Sequence, residues 1–187
     1  MIAPYSFEEE VWSDRPTLVW QGSASSVELY QQGGSEPIWT YPLSESDQIP
    51  GLDGAQTEEF DEPVYQVTYD GEPLEPGQAY VWRVIQPFAP RPISFQIMTT
   101  EEQEKITDDL TALESQLEAE DTDETLAIQK ADYFADQQLW SDFWQQILAV
   151  ESPSDELKTV LDETIAELCP PPPDPDANSR EFRGSVR

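Results

Sequence analysis

Histidine is absent from this chain, cysteine occurs once, and only nine lysines and arginines stand against 39 acidic residues. Without histidine there is neither the commonest general base nor the commonest imidazole metal ligand. Cys169 is alone, so no internal disulfide can form, and beside Pro170 it has no CxxC partner or nearby histidine to activate the thiol. A formal charge of -30 excludes the basic patch that nucleic acid or anionic headgroups require. No run approaches the roughly 20 apolar residues needed to cross a bilayer. Met1 to Tyr5 shows neither the basic start nor the apolar stretch of a signal peptide.

Catalytic motifs are missing as well. There is no GxGxxG or GxxxxGK[ST] run to cradle a phosphate, and no serine or cysteine has a credible partner in the sequence. Asp108-Asp109, Asp121-Thr122-Asp123-Glu124 and Asp174-Pro175-Asp176 offer oxygen atoms to calcium, yet none follows the spacing of a calcium loop with its glycine and closing glutamate. The expectation is a protein that is not an enzyme and holds no cofactor and no metal.

What is present argues for a folded chain. Six tryptophans, seven tyrosines and seven phenylalanines in 187 residues are incompatible with wholesale disorder, and 37% hydrophobic content is enough for a core. The acidity then admits three readings: a solvated surface kept soluble by repulsion, a surface that docks on a basic protein, or a mimic of a phosphate array. The acids are scattered without a regular ladder, which sets the mimic last.

The first half alternates with period two. Thr17 to Trp20, Val27 to Tyr30, Ile38 to Tyr41, Val64 to Tyr69, Tyr80 to Ile85 and Ile93 to Met98 read as strands, with a short element at Trp12 before them. Gly33-Gly34, Asp70-Gly71 and Pro76-Gly77 supply the turns. Leu74-Glu75-Pro76-Gly77-Gln78-Ala79-Tyr80 resembles the approach to the sixth strand of fibronectin type III sandwiches, where the tyrosine folds back over a corner and its hydroxyl meets the backbone. The expected fold over 1–98 is an antiparallel β-sandwich, fibronectin type III or immunoglobulin-like, with a long acidic loop at 44–63. Its inward set is Leu18, Trp20, Leu29, Ile38, Val67, Tyr80, Trp82, Val84, Phe95 and Ile97, while Glu28 and Arg83 stay wet.

Near Thr99-Thr100 the period changes to about 3.6. Thr100 and Gln103 are placed to cap a helix carrying Ile106, Leu110, Leu113 and Leu117 on one stripe. A second helix starts near Asp123 or Glu124. A third runs from Leu139 to Val150, and a fourth from Asp155 to Cys169 after a break at Pro153. The expected helical domain is 99–169, and 170–187 is a proline-rich flexible tail.

Ala127, Ala131 and Tyr133, a polar turn, then Leu139, Phe143 and Leu148 resemble one tetratricopeptide-type hairpin, although the glycine of that motif is absent. A second unit would start at Ser154, and so short a repeat array would need capping by the sandwich. With Ser13 to Trp20 and Leu74 to Tyr80, the arrangement resembles a family of cyanobacterial extracytoplasmic proteins over Trp12 to Cys169. That resemblance implies a periplasmic or cell-envelope location and supplies no active site; a native N-terminus at Met1 implies the cytoplasm instead.

These features lead to a non-enzymatic adaptor or accessory subunit, monomeric in isolation, that binds another protein with a basic surface through its helical half, without nucleic acid or membrane insertion. The expected contact residues are Phe134, Trp140, Trp144, Asp132, Asp136 and Asp142. Behind this reading stand an acidic structural or ion-binding envelope protein, then a nucleic-acid mimic or an enzyme.

Overall fold

A computed structural model describes residues 3–4, 9–53, 63–86, 92–116, 122–150 and 152–168. The expected tail, Cys169, Leu117 and part of the expected acidic loop lie outside these residues.

Among the described residues eight strands form two sheets: β1 (Glu9–Val11), β2 (Thr17–Gln21), β3 (Ser26–Gln31), β4 (Trp39–Pro42), β5 (Gln48–Asp53), β6 (Pro63–Thr68), β7 (Ala79–Ile85) and β8 (Pro92–Ile97). One sheet has the order β1-β8-β7-β3-β4 and the other β2-β6-β5. Every pairing is antiparallel except β1 with β8. This order is that of an immunoglobulin-type sandwich, with β8, β7, β3 and β4 opposite β2, β6 and β5.

The loop expected at 44–63 is partly ordered. Ser44 and Asp47 cap a turn of 3-10 helix at Glu45–Asp47, the Asp47 carboxylate accepting the Ser44 N–H at 2.7 Å. β5 follows and buries Ile49. Pro50 is tolerated there because β5 is an edge strand with an irregular register against β6.

The expected inward residues are buried, with one correction. Ile38 is 49% exposed, because β4 starts one residue later and Trp39, opposite Leu29, takes the inward place. The corner behaves as the motif predicts: Gly77 adopts φ +73, and the Tyr80 hydroxyl accepts the Glu75 N–H at 2.9 Å. In disulfide-linked immunoglobulin domains the second cysteine stands two residues after this tyrosine. Here that residue is Trp82, whose ring lies 6.1 Å from that of Trp20 in the opposing sheet, so aromatic packing spans the sandwich centre.

Among the described residues four helices follow: α1 (Thr100–Glu114), α2 (Asp123–Asp136), α3 (Trp140–Leu148) and α4 (Asp155–Leu168). The cap of α1 falls one residue earlier than expected. Thr99 and Glu102 form the reciprocal capping box, because the Gln103 side chain is drawn away to donate to the Trp12 carbonyl. At the end of α2, Gln138 N–H bonds to the Ala135 carbonyl and Leu139 N–H to that of Phe134, both at 2.9 Å. This is a Schellman turn, and Gln138 occupies its left-handed position at φ 63 where glycine is usual. Ser154 caps α4 through the Leu157 N–H, and Glu124 of α2 accepts both the N–H and the hydroxyl of Ser154.

The helices do not stand apart from the sandwich. Val19, Ile49 and Val64, with Met98, share one core with Ile106, Leu110, Phe134, Phe143, Trp144 and Leu161. β2 is therefore covered twice: Leu18 and Trp20 face the other sheet, while Thr17 and Val19 lie under the helical layer. Ala3 also closes the β2 edge by exchanging two backbone hydrogen bonds with Val19.

Candidate protein-binding surface

The six expected contact residues separate by environment. Asp132 and Asp136 are exposed and one turn apart on α2, so their carboxylates share a stripe facing water. Trp140 is half-buried at the start of α3, its ring in an edge contact with Phe143 at 5.8 Å. Phe134 and Trp144 are fully buried in the core shared with the sandwich. Asp142 is also fully buried, facing the sandwich rather than solvent. Helical periodicity, which placed these residues in an amphipathic half, cannot tell a face that meets a partner from one that meets the chain's own sheet.

Asp142 forms a clasp that spacing could not reveal. Its two carboxylate oxygens accept the backbone N–H groups of Trp12 at 2.8 Å and Ser13 at 2.9 Å. Trp12 also exchanges bonds with Gln103, donating its indole N–H to the Gln103 carbonyl at 3.2 Å and accepting the side-chain amide at 2.8 Å. Its ring packs on Phe134 at 5.6 Å. Next to Asp142, Ser141 donates its N–H to the buried Glu9 carboxylate and its hydroxyl to the Thr17 carbonyl. Burial pushes the Asp142 carboxyl up to about 7, against the Trp12 and Ser13 N–H donations that favour its charged form. These bonds tie α3 to β2 and to the exit of β1, and that exit to α1.

A groove of about 890 Å³ opens along α2 and the segment after α3. Leu126, Ala127 and Val150 give it apolar walls, Asp123 and Glu124 line it with carboxylates, and Lys130 adds one cation. That cation is already paired with Glu114 of α1. Nearby, the Tyr133 hydroxyl donates to Asp109 at 2.8 Å, and burial together with this bond pushes its pKa up to about 12. Ala127 entered the sequence reading only as a helix-hairpin residue; the groove itself needed the packing of α2 against α3.

Among the described residues no group of three or more acidic or cysteine side chains is arranged to hold a metal ion, and no helix is long and apolar enough to cross a membrane. No family model and no curated protein matches the chain. Among solved structures, the second Ig domain of the mouse polymeric immunoglobulin receptor aligns at 7% identity and TM-score 0.24, covering 51% of this chain and 94% of that one. The BTLA ectodomain aligns at 16% identity and TM-score 0.23, covering 53% and 94%. Similarity at that level carries no argument; the sandwich rests on its own strand pairing.

Proposed function

We propose that the chain is a non-enzymatic adaptor or accessory protein whose helical layer docks a basic, amphipathic segment of another protein. The groove beside α2 carries this reading: apolar walls at Leu126, Ala127 and Val150 suit hydrophobic anchors, and Asp123 and Glu124 beside them suit lysine or arginine. The exposed Asp132 and Asp136 extend the same sign of charge along α2. The sandwich fixes this face by sharing a core with it. A tetratricopeptide-like origin for the α2–α3 hairpin and an envelope location, both implied by the resemblance to cyanobacterial extracytoplasmic proteins, belong to this proposal. So does a monomeric free state, since like charges oppose self-association.

The test is titration calorimetry with a synthetic amphipathic helical peptide carrying lysine and leucine on opposite faces, against a scrambled peptide of equal charge. The helical peptide binds, its affinity falls as salt rises from about 0.05 to 0.5 M, and Leu126→Asp abolishes the heat. Equal binding of the scrambled peptide, or an unchanged isotherm for a folded Leu126→Asp protein, overturns the proposal.

A further inference from the structure

A second hollow, of about 470 Å³, adjoins the α2 groove at Ala149, where the ends of β2 and β6 meet the 3-10 turn and the C-terminal end of α3. Its walls include Gln66, Gln145, Asp47, Asp70 and Tyr41. Among the described residues no lysine or arginine lines it.

Several of these polar groups are left unengaged by the fold. Asp70 takes the Trp39 indole N–H on one oxygen at 2.7 Å, and its other oxygen accepts nothing from the described residues. The Gln66 side chain makes no hydrogen bond among the described residues. Behind the wall, the Gln145 amide oxygen is buried without a donor. Asp47 stays ionised: burial pushes its carboxyl up, but the Ser44 N–H and hydroxyl and the Tyr41 hydroxyl together hold it below the ordinary value. Trp39 and Tyr41 stack beside these acids at 5.6 Å.

We propose that this hollow is a recognition site for a primary ammonium or guanidinium group. The argument joins three properties of one place. The Asp70 carboxylate and the Gln66 amide supply acceptors, and among the described residues no cation of the protein's own lines the hollow. The surrounding charge of -30 raises the local concentration of cations and repels anions. An aromatic pair borders the acceptors, as suits a cation that must shed part of its water. The acceptors of this site, Asp70 and Gln66, do not line the α2 groove, and the site does not rest on the docking proposal.

The test follows the Trp39 indole and the Gln66 and Gln145 side-chain amide signals by nuclear magnetic resonance, in about 0.15 M salt to screen diffuse attraction. The probes are 1,5-diaminopentane, N-acetyl-lysine amide and N-acetyl-arginine amide, with N-acetyl-norleucine amide as the uncharged control. Cationic probes produce saturable shifts at these signals and norleucine amide does not. Asp70→Asn, which keeps an acceptor for Trp39, weakens the effect about tenfold, while Asp132→Asn with Asp136→Asn leaves it unchanged. Tighter binding of the amino-acid amides assigns the site to a protein side chain; equal or tighter binding of the diamine assigns it to free amines. Shifts that spread over the acidic surface without saturating, or an unchanged affinity in Asp70→Asn, overturn the proposal.

Discussion

Asp142 Oδ2 accepts the backbone N–H of Trp12 at 2.8 Å, tying the start of α3 to the exit of β1 across 130 residues. The other oxygen takes the Ser13 N–H, so one fully buried side chain satisfies two backbone donors that no strand pairs. Asp142→Ala leaves both part-buried donors unpaired. We expect it to lower stability by about 2–4 kcal/mol in urea denaturation, with Asp142→Asn losing less because one acceptor remains. Equal midpoints for wild type and Asp142→Ala would show that the clasp contributes nothing.

The same carboxyl makes stability depend on pH in an unusual sense for an aspartate. Its ordinary value is 3.8 and its folded value about 7, so between these the folded protein holds a proton that the unfolded chain has released. The contribution of Asp142 is therefore greatest below about pH 4 and declines as pH rises toward 7. Asp47 and Glu102 are held below their ordinary values and act in the opposite sense at lower pH. Subtracting the stability profile of Asp142→Asn isolates the effect; a difference that stays flat from pH 4 to 7 contradicts it.

Tyr80→Phe removes the acceptor of the Glu75 N–H at the sandwich corner while leaving the ring between the sheets. The expected loss is about 1 kcal/mol, seen as a lower melting temperature. Tyr133→Phe, whose bond to Asp109 is exposed to water, costs a few tenths at most on the same scale. Reversal of that order would remove the corner from the account of stability.

Gln138→Gly should stabilise the protein by about 0.5–1 kcal/mol. The residue sits at φ 63 in the Schellman turn, where a side chain is strained and glycine is not. Its two turn hydrogen bonds are backbone bonds and survive the change. Thermal denaturation of the two proteins decides it, and a lower midpoint for the glycine variant refutes the strain.

Phe134→Ala and Trp140→Ala separate the core from the face. Phe134 is fully buried against Trp12 and the helical layer, so its truncation is expected to cost about 3–5 kcal/mol. Trp140 is half-buried and loses less. Similar denaturation midpoints for the two variants would place Trp140 in the core as well.

Local chemistry was enough for much of the architecture. Period-two alternation, the Pro76-Gly77 turn and the change of period at Thr99 mark strands and helices because each reflects neighbours only a few residues apart. The Leu74 to Tyr80 motif carries the corner bond for the same reason. β5 escaped notice because Pro50 and Gly51 read as turn residues, and only pairing with β6 makes them part of a strand.

Tertiary structure decided which amphipathic face meets what. The apolar stripe of α3 was legible, but its destination was the outer side of β2, a surface that alternation had left to solvent. That contact turned Phe134, Trp144 and Asp142 from expected partner contacts into interior groups. Hydrophobic periodicity records that a face is buried, whereas the identity of the surface that buries it depends on residues more than 100 positions away, such as Trp12 against Asp142.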